Sequence, residues 1–307
     1  MAGRDDVCDG VPGGAGELAD HLVQGAEQPG QGVGAAGFAQ DGVGGGGDFG
    51  LGAVEVELVQ DGVDVQEQAG DVAGVKLVTV GHGPVRVQGV YVLFDAATLT
   101  PLAVADAVAL TLIRTAALSA LATDLLAPAG ASRLAVIGTG PQAREHVAAI
   151  RAVRPISSVS VIGRTPAKAA AFAASVGASV GEEVSGADIV CCCTTSATPV
   201  VSAASLTDRA HVNAIGAHLP DHREVAADVV ASAFVVVDDA VAARHEAGDL
   251  IMAVAEGAAD KSVFDVDLAA LVRGAATPPA GRTLFKSVGF GLADLLVAQV
   301  GIRSIAR

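Results

Sequence analysis

The chain has 307 residues, 51% of them apolar, and a formal net charge of −15. That length holds one large or two ordinary domains with a substantial core, and an acidic chain is a poor partner for nucleic acid. No run approaches 18 uninterrupted apolar residues and no basic-then-apolar leader opens the chain, so the sequence predicts a cytoplasmic protein with no membrane partner.

The first 73 residues are unlike the rest. They hold 19 of the 38 glycines, including Gly44 to Gly47, and no lysine. Residues 1–75 carry fourteen acids against one base, Arg4, a local charge of −13, so residues 76–307 are close to neutral. Only Ala53 to Val59 alternates like a strand. Two readings of residues 1–73 stand open: a weakly folding acidic tail, or an out-of-frame gene start, since shifted reading of GC-rich DNA yields Gly, Ala and Val.

From Gly74 the pattern becomes regular. Gly74–Val80 and Val87–Phe94 predict two strands, Asp95–Thr98 a turn, and Ala105–Leu126 a long apolar helix ended by Pro128. Lys76 is the sole charge in its apolar strand, and Arg114 the sole charge between Asp106 and Asp124 of its helix, sharing a face with Thr111, Thr115 and Leu118. A buried unpaired cation is costly, so each either reaches solvent, forms a structural ion pair or meets an anion. Two such cations suggest a carboxylate site, hence an amino or imino acid substrate.

Leu134–Ile137 is a buried strand running into Gly138-Thr-Gly140-Pro-Gln-Ala143 and then an amphipathic helix, Arg144–Val153. This is the phosphate corner of a dinucleotide fold. Gly138 permits the turn, Gly140 lets backbone approach a pyrophosphate, and small Ala143 lets the helix pack close. A second strand, Ser160–Gly163, ends in Arg164, where a ribose-binding carboxylate would select NAD(H). An arginine suits a 2′-phosphate, so NADP(H) is favoured over NAD(H). Thr165 and Pro166 read as the cap and first residue of a helix over Ala167–Val176. Asp188–Cys193, His211–Ile215 and Ala233–Val237 follow as strands, Val241–Glu256 as a helix, and Phe285–Ala298 as a loop feeding a helix. Cys191, Cys192 and Cys193 are consecutive and lack CxxC spacing, so they read as core residues, with no metal site. The alternation predicts an α/β fold: a doubly wound parallel sheet over 129–285, and a smaller composite α+β domain from 74–128 plus 286–307.

The motifs around Lys76, Arg114-Thr-Ala-Ala117, Gly138–Ala143, Val212–Glu224, Val237-Asp-Asp239, Glu246–Leu250 and Phe285–Gly289 stand in an order that resembles the ornithine cyclodeaminase/mu-crystallin family. The resemblance implies a homodimer of two-domain subunits, with a nicotinamide-binding Rossmann domain and a dimerising substrate domain. It implies that Lys76 and Arg114 hold the substrate carboxylate. It further implies that Thr115, Gly138, Thr139, Gly140, Pro141 and Gln142 line the cofactor phosphates. Arg164 would meet the ribose, Thr194, Ile215, Gly216 and Ala217 would flank the nicotinamide, and Ser287 and Val288 would close the site.

The chain departs from that family in places. His218 stands where the cyclodeaminase has a catalytic aspartate. An imidazole can move protons near neutral pH but cannot hold a cationic amine as a carboxylate does. His222 is a weaker candidate. The family's N-terminal substrate arginine has no recognisable counterpart before Gly74, and the connector Gly81–Arg86 is short. The expected function is hydride transfer on an amino or imino acid, of dehydrogenase, ketimine reductase or cyclodeaminase type, with Lys76 and His218 as catalytic candidates. The alternative is a catalytically impaired NADPH- and small-ligand-binding protein of the same fold.

Overall fold

The computed structural model describes residues 54–57, 72–80 and 87–305. The readings of residues 1–53, 58–71 and the 81–86 connector lie outside these residues. The smaller sheet is antiparallel and runs in chain order, β1 (Val54–Glu57), β2 (Val72–Val80), β3 (Val87–Asp95) and β4 (Pro101–Asp106). Strand alternation divides its faces. Lys76 pairs with Tyr91 and Gly74 with Leu93 on the buried face, whereas Leu77 pairs with Val90 on the outer one. Gly74 is required by contact: a Cβ there would lie 1.8 Å from the Tyr91 hydroxyl.

β4 was not expected from the sequence. It starts with proline and is short, which an edge strand tolerates because its outer N–H groups need no partner. Asp95 turns the chain into it, its Oδ1 accepting from Ala97 and Thr98 N–H and from the Thr98 hydroxyl. Asp106 then caps α1 (Ala107–Leu126), accepting from the N–H groups of Val108 and Ala109. The helix therefore begins two residues later than its apolar pattern suggests. Ala127, ahead of Pro128, is extended and ends it. By length and hydropathy α1 could cross a membrane. Here it packs against the helix Pro141–Val153, β3 and the helix α8 (Gly291–Ile305), with twelve of its residues buried, as a central core helix does.

The larger sheet has seven parallel strands, β5 (Arg133–Ile137), β6 (Ser158–Ile162), β7 (Ser179–Val180), β8 (Ile189–Cys192), β9 (His211–Ala214), β10 (Ala233–Val237) and β11 (Arg282–Lys286), in the order β10-β11-β9-β8-β5-β6-β7. β5 (Arg133–Ile137) leads through α2 (Pro141–Val153) to β6 (Ser158–Ile162), then α3 (Pro166–Val176) and β7 (Ser179–Val180). The chain next crosses back to the other side of β5, laying down β8 (Ile189–Cys192) and β9 (His211–Ala214). The strand order thus reverses between β5 and β8, the place where a doubly wound sheet opens a crevice. Cys191 faces the core under α2 and α3, and Cys192 the opposite core. Both are buried and free, as a strand's alternation requires.

α4 (Ala227–Ser232) precedes β10 (Ala233–Val237), which is followed by α5 (Ala240–Glu246), α6 (Gly248–Ala255) and α7 (Leu268–Val272). Two expectations change here. The single helix over Val241–Glu256 is split at Ala247, because Gly248 lies against the carbonyls of Leu219 and His222, where a Cβ would come within 2.3 Å. The region after 280 is also more ordered than a loop. β11 (Arg282–Lys286) is a full strand inserted between β9 and β10. Its apolar run is only Leu284-Phe285, and its flanking cations are accommodated by tertiary partners the sequence does not reveal.

Candidate functional site

The turn from β5 into α2 fits a dinucleotide phosphate. Gly138 has φ +122°, and a Cβ on it would sit 2.4 Å from the Cys193 carbonyl oxygen. Gly140 is the N-cap of α2, makes no side-chain cap bond, and would point a Cβ into open space. The first N–H groups of α2 are therefore uncapped beneath a clear approach, as an anion needs. Pro141 is the first helical residue, where its missing N–H does no harm.

A buried hydrogen-bond relay fixes this corner against α1. His146 of α2 contacts the Gln142 carbonyl through Nδ1 at 2.8 Å and the Ser119 hydroxyl through Nε2 at 2.9 Å. A carbonyl only accepts, so Nδ1 carries the proton and Nε2 accepts from Ser119. Burial lowers the His146 pKa to about 4. Thr115 is buried and its hydroxyl donates to the Thr111 carbonyl. On the other side of the corner, Thr139 packs beside Gly163, and Arg164 at the end of β6 is exposed, with no hydrogen bond or ion pair among the described residues. Thr165 occupies the N-cap of α3, but its side chain makes no cap bond.

Across the switch point, the ends of β8 and β9 are bound to one carboxylate. Glu224, with no exposed surface, accepts from the Thr194 N–H and hydroxyl on Oε1, both at 2.7 Å, and from the Gly216 N–H on Oε2 at 2.6 Å. Burial raises its pKa to about 7, with the nearby Lys286 ammonium and these hydrogen bonds pulling the other way. Glu224 is itself held from behind. Its N–H, and that of Val225, donate to Asp249 Oδ1, and Asp249 Oδ2 pairs with Lys286 at 2.7 Å with both side chains fully buried. Lys286 Nζ also donates to the Ala217 carbonyl. Ile215 and Gly216 are half-buried between these anchors.

Lys76 and Arg114 are brought together. Lys76 Nζ lies 2.7 Å from Asp294 Oδ2, and Arg114 Nε 3.4 Å from Asp294 Oδ1, all three side chains being buried. Of the readings open for each cation, the one realised is the structural ion pair, its carboxylate supplied by α8. Burial and the Asp294 charge both raise the Tyr91 phenol well above its usual range. Arg114 reaches the loop after β11, where a Cβ on Gly289 would fall 2.6 Å from its guanidinium. Asp238 ties that loop down, accepting from the Ser287 hydroxyl and from the Val288 and Gly289 N–H groups. Burial raises the Asp238 pKa, and those bonds and the Arg114 charge oppose it.

The two histidines are different. His218 is exposed on the turn after β9, its Nδ1 3.4 Å from the Gly216 carbonyl oxygen. His222 pairs with its neighbour Asp221. Among the described residues no group of three His, Cys, Asp or Glu is placed to hold a metal. The sequence reading missed Asp294, Asp238, Glu224, Asp249 and Lys286 as individual residues. The signal that singled out Lys76 was present for Asp294 too, a lone charge in the apolar run Phe290–Ala298.

Known proteins of this shape carry related names. The family model of the ornithine cyclodeaminase/mu-crystallin family matches residues 65–304. A Delta(1)-pyrroline-2-carboxylate reductase of Bacillus cereus is 38% identical over 248 residues, covering 74% of this chain and 75% of that one. The ketimine reductase mu-crystallin of Mus musculus is 34% identical over 244 residues, covering 76% of each. The solved Thermococcus litoralis Delta(1)-pyrroline-2-carboxylate reductase, in complex with NADH and L-proline, superposes with a TM-score of 0.73 at 27% identity, covering 83% of this chain and 87% of that one. With the phosphate corner, the paired cations and the switch-point crevice in one fold, and a family match reaching across nearly all described residues, the chain belongs to the ornithine cyclodeaminase/mu-crystallin family.

Proposed function

We propose that the chain is an NAD(P)-dependent reductase of cyclic α-imino acids, with NADPH favoured over NADH. One observation carries most of this reading: Lys76 and Arg114, from separate elements, converge on the carboxylate of Asp294. Cations that hold a carboxylate at that point form a receptor for the α-carboxylate of a substrate. The reductase names of the curated relatives, and the NADH and L-proline of the solved one, support the same chemistry.

In this reading Lys76 and Arg114 orient the substrate carboxylate, with Val288 beside it. Thr115, Gly138, Thr139, Gly140, Pro141 and Gln142 receive the cofactor phosphates, and Arg164 favours a 2′-phosphate. Thr194, Ile215, Gly216, Ala217 and Ser287 border the nicotinamide. The bound nicotinamide supplies the hydride. Reduction of the C=N bond also needs a proton at the ring nitrogen. Lys76, which the Asp294 contact places at the carboxylate site, is the proposed donor. His218, in contact with solvent, replenishes the proton. An imidazole at position 218 offers a cationic side-chain amine no anionic partner, which favours imine reduction over cyclodeamination.

NADPH oxidation with 1-pyrroline-2-carboxylate and 1-piperideine-2-carboxylate tests the reading. Turnover is expected, with Lys76→Ala lowering kcat/KM by about a hundredfold or more. Unchanged kinetics in that variant would remove Lys76 from the mechanism. NADPH binding without turnover on any amino or imino acid would favour the impaired binder instead. A homodimer is supported by the outer face of the small sheet, where Leu77, Val90 and Val104 are exposed together. Sedimentation as a monomer would refute it.

A further inference from the structure

Glu224 belongs to none of the roles above, yet it is a heavily bonded carboxylate that joins two loops of the crevice. It takes three donors from two separate loops, Thr194 N–H and O–H after β8 and Gly216 N–H after β9. The loops it joins touch backbone to backbone: a Cβ on Gly216 would lie 1.8 Å from the Thr194 carbonyl oxygen. The Thr194 hydroxyl is also committed on its acceptor side, to the Ser196 N–H at 3.2 Å. That hydroxyl has one proton and gives it to Glu224, so the Thr194 side chain has none left for a ligand.

The location of these loops gives the bonds their meaning. The strand order reverses between β5 and β8, so a dinucleotide whose pyrophosphate sits at Gly138–Gly140 has its adenosine half over β6 and its other half over the ends of β8 and β9. We infer that Glu224 is a positioning residue for the nicotinamide half of the cofactor: it sets the spacing of the Thr194 and Gly216 loops without touching the ligand. The inference rests on the proposed dinucleotide reading. Glu224 is fixed in turn by Asp249 and Lys286, and Lys286 also holds the Ala217 carbonyl, so the β9 loop is fastened at successive residues on its N–H and C=O sides. A carboxylate with three donors on its oxygens and no exposed surface is a scaffold rather than a proton-transfer group.

The test compares two ligands on the full chain, NADPH and adenosine 2′,5′-bisphosphate, the second lacking the nicotinamide half. Glu224→Gln keeps the size and turns one acceptor into an NH2 group, which cannot satisfy both loops. The expected result is a Kd for NADPH raised about tenfold, with the bisphosphate affinity unchanged within about twofold. Equal weakening of both ligands, or of neither, would overturn the inference. Thr194→Val removes a single hydroxyl bond and guards against a Glu224→Gln chain that does not fold. It is expected to shift the same ratio in the same direction by a smaller factor, and an unshifted ratio counts against the proposal. Failure of the wild-type chain to bind either ligand would sink the dinucleotide reading and this inference with it. Wild-type binding with an unshifted ratio sinks the inference alone.

Discussion

The two halves of the crevice are built differently. On the β6 side stands Arg164, exposed and free of ion pairs among the described residues, ahead of a helix cap with no side-chain bond. On the β8 and β9 side the loops rest on Glu224, Asp249 and Lys286, each with no exposed surface. Under the proposed function the contrast follows from the task of each half. The adenosine end supplies affinity, and an exposed arginine is open to a phosphate. The nicotinamide end must hold the hydride donor at a reacting carbon, where a small displacement costs rate, so its loops are preorganised.

The largest expected effect breaks the rigid half. Lys286→Met leaves Asp249 charged and unpaired in the core, a cost of about 3–5 kcal/mol. For a chain of this size the thermal midpoint should drop by roughly 10 °C, measured by calorimetry. Adding Asp249→Asn should recover part of the loss, because the orphaned charge is then gone. A single variant as stable as the parent would mean the pair does not carry the loop. A smaller effect is expected at the open half. Arg164→Ala should weaken NADPH by about tenfold in a fluorescence titration and leave NADH unchanged, with no change in thermal midpoint. Loss of both cofactors alike would remove the arginine's role in selecting the 2′-phosphate.

The smallest effect is a pH dependence drawn from both halves. His146 behind the phosphate corner and His211 on β9 each have a pKa lowered by burial from 6.5 to about 4. As pH falls below 6.5 the unfolded chain takes up protons the folded chain refuses, so stability falls from pH 6.5 down to 4. Glu224 acts in the opposite sense. Its pKa is raised from 4.5 to about 7, so the folded chain binds its proton first and this contribution grows as pH falls from 7 to 4.5. From these groups the midpoint should decline slowly between pH 6.5 and 4.5 and more steeply from 4.5 to 4. His146→Gln should flatten the decline, and an unchanged slope would mean that His146 is not among its causes.

The sequence was most legible where one short segment contains its own explanation. The β5–α2 corner needs a turn glycine, an approach glycine and a small residue in consecutive order, and local backbone sterics decide the outcome. The cysteines were readable for the same reason, since strand alternation alone sends Cys191 and Cys192 to opposite cores. Lys76 and Arg114 stood out as lone charges, but nothing near either in sequence names Asp294, which comes from the last helix. Glu224 looked like one more polar residue of a loop. Its weight comes from donors at 194 and 216 and from a carboxylate at 249, a set that only the fold assembles. β4 escaped because its proline, alanines and aspartate are weak strand formers, and β11 because its apolar run is only two residues long; pairing on the sheet compensates in both. The break at Ala247 escaped because the apolar pattern continues past it, while the close approach of Gly248 to the Leu219 and His222 carbonyls is a tertiary contact.

The insertion of β11 between β9 and β10 also constrains how the chain can be assembled. Its pairing partners are complete by Val237, yet the strand that fills the gap ends at Lys286. Until then β9 and β10 each present an unpaired inner edge, the kind of surface that recruits strands from other chains. The large sheet can close only once the chain has been made through Lys286. A chain stopped before Arg282 therefore loses more than a C-terminal helix: it lacks the middle of its sheet, and aggregation rather than a smaller folded domain is its expected fate.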